Sequence, residues 1–275
     1  MYIKRTTYLP YRIDVEKYHS GRYGSKARPG PREKPTTAQM EAANERRRIK
    51  KLYQKIAVNF DFGDLHMQLT YKKDERPTPN EAREYLTLFL RKLRKEFKKR
   101  GEELKYIVTT EYKRAAIHHH LVINEIGKTA KLVNEVWNHG KAFFSVVYKN
   151  GDVEDLAAYL IKETQNSFRD KDNPSKLSYS CSRNLKKPKE TVEVIKADSW
   201  LEVPTPPKGY WIPKDSIVTG ISKVTGYPYQ YYTCIKYDQN LMSKEEDWLK
   251  PRGRTDENKD YRKRSGNKPG PDAGD

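Results

Sequence analysis

The sequence implies an α+β fold, a central antiparallel sheet with helices packed on it. Three features carry this. "DLHMQLTY" (64–71) alternates apolar and polar residues, the period of a half-buried strand. "LKYIVTTEY" (104–112) and "IHHHLVIN" (117–124) are both β-like and separated only by "KRAA", which makes a hairpin the economical connection. Between and around them lie segments with helical apolar stripes. The resulting order, αβαββαβα over about residues 37–166, favours antiparallel pairing because strands run adjacent in sequence.

Each element has its own signal. "TTAQMEAANERRRIKKLYQKIAVNF" predicts a helix to about residue 56, with Arg46, Arg47, Arg48, Lys50, Lys51 and Lys55 on its polar side. A solvated face and a phosphate-contacting face are both open there. In "TPNEAREYLTLFLRKLRKEFKKRG", Thr78 is the N-cap, Pro79 takes the first helical position and Glu81 completes a capping box. Ala82, Leu86, Phe89, Leu93 and Phe97 form its buried stripe, and Gly101 ends it. A short helix follows at 130–140, a strand at 141–148, and a helix at 151–166 that Asp152 is placed to cap. Beyond it the chain is rich in Pro, Tyr and charge, with short β-like pieces such as "KLSYSCS" and "YQYYTCIKY". The expected organisation is a flexible basic arm (1–36), a catalytic-type α+β domain (37–190), a small β-rich extension (191–250) and a disordered tail (251–275) that has no apolar face.

Composition narrows the partners. The net charge of +18 over 275 residues favours a polyanion, with nucleic acid first and an anionic membrane surface second. No apolar stretch approaches the roughly 20 residues of a membrane span, and the N-terminus carries no secretory h-region. Cys181 and Cys234 form neither a disulfide framework nor a zinc knuckle. A reducing, cytoplasmic setting with no membrane partner is the expectation.

The run "AIHHHLVIN" (116–124) raises the chemical question. A hairpin turning between Arg114 and Ala115 sets Glu111 opposite His118 and Thr109 opposite His120. Side chains alternate along a strand, so His118, His120 and Glu111 share one face, and His119 joins Ile117, Leu121 and Ile123 on the other. Two imidazoles and a carboxylate suit a divalent ion with open positions, Mg²⁺ or Mn²⁺ with phosphate ligands, and zinc is also conceivable. A strand histidine is more often structural, so a core role competes with ligation. On the 151–166 helix, Val153, Ala157, Leu160, Ile161 and Thr164 form the buried side, and Tyr159 and Lys162 lie on another. A tyrosine hydroxyl titrates near 10 and needs an adjacent cation or base to act as a nucleophile; Lys162 supplies a charge. The same pair is also ordinary on a solvated helix.

Together these parts resemble the HUH endonucleases, specifically the rolling-circle replication initiator (Rep) proteins of phages, plasmids and integrative elements. The resemblance rests on "LHMQLTY", "IHHHLVIN" and "AAYLIKE" in that order, with "VWNHG" and "SYSCSRNLKKPK" as supporting segments. It implies a palm-like sheet with the histidine strand central. It also implies that His118 and His120 ligate Mg²⁺ or Mn²⁺, with Glu111 as a third ligand whose position varies in the family. Tyr159 is then implied as the nucleophile that leaves a 5′-phosphotyrosine and a free 3′-OH on single-stranded origin DNA, and Lys162 as its phosphate-positioning neighbour. His119 departs from the hydrophobic residue usual at the middle position. No second tyrosine stands one turn away, where Asp155 and Glu163 stand instead; either carboxylate is a candidate to activate water. "EIGKTAK" lacks the first glycine of a P-loop, so unwinding falls to a host helicase and extension to a host polymerase. A non-catalytic DNA-binding regulator, a relaxase and a single-tyrosine transposase are the alternatives.

Overall fold

Alternation and amphipathic stripes build two antiparallel sheets and four helices. The computed structural model describes residues 1–20, 30–32, 34–113, 116–148, 153–168, 177–196 and 199–237. The elements run β1 (Tyr2–Tyr8), β2 (Arg12–His19), α1 (Thr37–Asn59), β3 (Leu65–Leu69), α2 (Pro79–Lys98), β4 (Tyr106–Lys113), β5 (Ala116–Ile123), α3 (Thr129–Val136), β6 (Ala142–Val146) and α4 (Glu154–Phe168). Then follow β7 (Ser180–Cys181), β8 (Lys189–Ile195), β9 (Tyr210–Trp211), β10 (Val218–Ile221) and β11 (Pro228–Lys236). From α1 to α4 the order is the expected αβαββαβα, and the fold is α+β.

The first sheet has the order β6-β3-β5-β4-β7, so the histidine strand β5 is central. One face packs on α2 and α3 through Met67, Leu69, Phe89, Leu93, Phe97, Leu121 and Trp137. The other packs on α1 and α4 through Leu52, Ile56, Ile107, Val122, Leu160 and Ile161. The helix starts follow the sequence chemistry. Thr78 accepts from the Glu81 amide and Glu81 reaches back to the Thr78 amide, and Thr36 and Gln39 do the same for α1. Gly101, past the end of α2, sits at φ +75°, a conformation that favours glycine.

Residues 2–19 correct the expectation of an arm over 1–36. They form a β-hairpin, because Ile13, Val15 and Ile3 supply buried side chains and both strands find partners late in the chain. β8 pairs with β1, and β11 pairs with β2. The strands of the expected 191–250 extension therefore belong to the same sheet as the N-terminal hairpin, in the order β10-β11-β2-β1-β8 with β9 on β11. Half-exposed Lys4, Arg5 and Lys17 give the hairpin its arm-like composition. This sheet meets α1 through polar groups. Buried Asp14 accepts from Gln54 Nε2 at 3.1 Å and from Arg12 Nε at 2.9 Å, and Lys50 pairs with Glu16 at 2.6 Å. Most of the basic stretch 20–36, the turn at 114–115, the Asp152 cap and the tail 251–275 lie outside the described residues.

The β3–β6 pairing continues past the strands, where the Thr70 amide donates to the Lys141 carbonyl and the Lys72 amide to the His139 carbonyl, each at 2.9 Å. This approach leaves no room at Gly140. A Cβ there would stand 2.1 Å from the Thr70 carbonyl oxygen and 2.9 Å from the Tyr71 Cα. Gly140→Ala is therefore expected to cost about 2 kcal/mol or more of stability, read as a lowered urea midpoint at unchanged slope.

Candidate active site

The β4–β5 register sorts the three histidines. Glu111 pairs with His118, Thr110 with His119 and Thr109 with His120. His118, His120 and Glu111 thus share a face, as expected from the hairpin.

His119 points the other way and is fully buried. The Tyr71 hydroxyl lies 2.7 Å from its Nε2 and the Thr110 hydroxyl 2.9 Å from its Nδ1, so both ring nitrogens are satisfied. Burial and the neighbouring His120 and His118 hold it neutral, its pKa lowered to about 3. It is a core histidine, edge-on to Tyr71 and Trp137.

On the opposite face, the Glu111 carboxylate lies 3.9 Å from His118 Nδ1. His120 is buried, and its ring lies parallel to that of His66 at 5.8 Å. His66 comes from β3, where it pairs with Val122 and therefore shares this face. Its Nδ1 meets the Ser145 hydroxyl at 3.1 Å, and that hydroxyl donates to the His66 carbonyl at 3.4 Å. With that donation made, Ser145 accepts from Nδ1–H, the tautomer that leaves a lone pair on Nε2. Among the described residues Nε2 is buried without a hydrogen-bond partner. Burial, and then His120, lower the His66 pKa to about 4.

α4 delivers the tyrosine. Val153, Ala157, Leu160, Ile161 and Thr164 are all buried, the stripe expected from the sequence. That fixes the helix rotation and leaves Tyr159 42% exposed, its ring edge-on to His120 at 5.4 Å and to His66 at 6.2 Å. Lys162 is exposed one turn further along the helix. Gln68 pairs with His120 and Phe143 with Gln68, so the same face ends at Phe143, an aromatic ring 54% exposed on edge strand β6.

The structure thus brings Tyr159 to His120, and Glu111 to His118. It adds His66 and Phe143, which the sequence reasoning missed. The signal for His66 was present in the alternation that sets it apart from Leu65 and Met67; finding it needed the β3–β5 pairing. The donors fit a divalent cation in kind, two imidazoles and a carboxylate on one face with a further imidazole lone pair beside them. Among the described residues, no three His, Cys, Asp or Glu side chains form a group able to hold a metal ion.

Residues 64–168 match the family model of the replication-associated protein ORF2. The match runs from Asp64, beside β3, to the end of α4 and contains every residue of this site. It supports a role in the initiation of DNA replication. No curated protein and no solved structure matches the chain. No described helix is long and apolar enough to cross a membrane.

Tyr71→Phe would leave the buried Nε2 of His119 unsatisfied. The expected loss is about 1–2 kcal/mol in urea denaturation; unchanged stability would remove the hydroxyl from the core network.

Proposed function

We propose that the protein is a replication initiator of the HUH type that nicks and rejoins single-stranded origin DNA through Tyr159. The observation that carries this is a half-exposed tyrosine held edge-on to His120, on the sheet face that also presents His118 and Glu111, inside the segment matched by a replication-associated family.

The Tyr159 oxygen attacks the scissile phosphorus. A tyrosyl–phosphorus bond forms and the bond from phosphorus to the 3′ oxygen breaks, leaving a 5′-phosphotyrosine and a 3′-OH. The phenolic proton leaves to water, which reaches the exposed ring, and the departing 3′ oxygen takes up a proton. His120 and His66 fix the tyrosine ring by edge contacts, so the hydroxyl is held in place before the strand arrives. Lys162 offsets the phosphate charge from the adjacent turn. His118, His120 and Glu111 would hold Mg²⁺ or Mn²⁺, which supplies positive charge at the scissile phosphate when bound. Phe143 offers a ring for a base of the strand crossing the face. Rejoining is the reverse attack by a 3′-OH. The released 3′-OH would prime a host polymerase in the cytoplasm, with a host helicase opening the duplex.

Incubation with single-stranded origin DNA and Mn²⁺ is expected to give a covalent adduct on a denaturing gel. Tyr159→Phe should abolish it, and chelation of the metal should do the same. Tight binding with no adduct from any origin-containing strand would instead identify a non-catalytic DNA-binding regulator. His66→Gln should slow adduct formation by about tenfold without weakening strand binding, since it removes a positioning contact.

A further inference from the structure

A second feature lies round the edge of the same sheet. β7 pairs with β4 only at Ile107 and Val108, so β4 beyond Val108 is an open edge among the described residues. There, a groove of about 430 Å³ runs between β4 and α2. Arg83, Arg91 and Arg94 line it from α2, and Tyr106 and Tyr112 from β4. All three arginines are exposed, and none has a carboxylate partner among the described residues. No Asp or Glu lines the groove at all. Threonine and serine hydroxyls complete it. Three arginine forks, aromatic rings and hydroxyls without an acid match a sugar-phosphate chain with unstacked bases.

The groove adjoins the candidate active site. Thr110 and Tyr112 face it, whereas Glu111, between them, faces the histidines on the other side of the strand. Thr164 of α4 also lines it, five residues beyond Tyr159. A strand leaving Tyr159 round the β4 edge enters the groove directly.

We propose that this groove is a binding site for single-stranded DNA flanking the cut, with the three arginines on phosphates and Tyr112 beneath a base. The inference takes its ligand class from the proposed function and assigns a site outside the nicking centre.

The test uses the full chain carrying Tyr159→Phe, without added metal, and fluorescein-labelled dT20 in anisotropy titrations over a range of salt. Combining Arg83→Gln, Arg91→Gln and Arg94→Gln should weaken binding at least about tenfold and lower the slope of log K against log salt by about 2, as three phosphate contacts on a single strand require. The control removes equal charge from the other side of α2, with Lys92→Gln, Lys95→Gln and Lys99→Gln, and should change both quantities far less. Tyr112→Leu should weaken dT20 binding about tenfold while Tyr112→Phe restores it, because the ring and not the hydroxyl carries the stacking. Equal losses in both charge sets would overturn the groove in favour of diffuse attraction. So would unchanged binding in the arginine set with melting temperature retained. Tighter binding of rU20 than dT20, or an equal effect of Tyr112→Leu on duplex DNA, would overturn the assignment to single-stranded DNA. Because this assay needs no cleavage, strand binding through the groove without any adduct in the parent chain would sink the nicking mechanism and leave the groove standing. An adduct with no effect of the groove variants would do the opposite.

Discussion

The pairing of β4 with β5 is the constraint on which the site depends. Three consecutive histidines carry no intrinsic assignment, and the pleat alone decides which of them meet solvent and which meet the core. Glu111 opposite His118 puts His118 and His120 on the face shared with Tyr159, and His119 in a pocket of hydroxyls and aromatic rings. A slip of one residue would bury two imidazoles among Leu93, Phe97 and Leu121 and leave one on the working face. The hydrogen bonds of His119 to Tyr71 and Thr110 oppose that slip, since they exist only in the observed register. The middle histidine thus acts as a lock on the placement of its neighbours.

The second constraint is the rotation of α4. Ala157, Leu160 and Ile161 are wholly buried against α1 and the sheet, and a helix so anchored cannot turn about its axis. Tyr159 is held at the border between covered and open sheet. The apolar end of the face, Ile107 and Val122, lies under α1 and α4. The end carrying Gln68 and Phe143 extends from His120 toward the β6 edge. One face thus serves as core at one end and working surface at the other.

Much of this was readable in the chain. The α2 cap at Thr78, the α4 stripe and the hairpin partners of Glu111 depend on local chemistry and short spacings, and they match. His66 was not found because its role depends on pairing between β3 and β5, segments far apart in sequence. Its neighbour Ser145, which orients the ring, comes from a third strand. The six-stranded sheet escaped for a stronger version of the same reason. β1 and β2 look like a basic arm until their partners, at 189–195 and 228–236, are known. Asp14, a charged residue on a strand, is buried because Arg12 and Gln54 meet it, and neither pairing has a sequence signature.

That second sheet has a consequence for how the chain comes to be folded. The hairpin of β1 and β2 is synthesised before the other elements, yet the strand that pairs with β2 is completed only at Lys236. Two strands alone are marginal in water, and pairings that close so long a loop form slowly. The sheet carrying the histidines, by contrast, draws all its strands from Leu65 to Cys181. The working half of the molecule can therefore assemble around its register during synthesis, while the N-terminal hairpin waits with its edges open. The latest of these strands closes the sheet begun by the earliest.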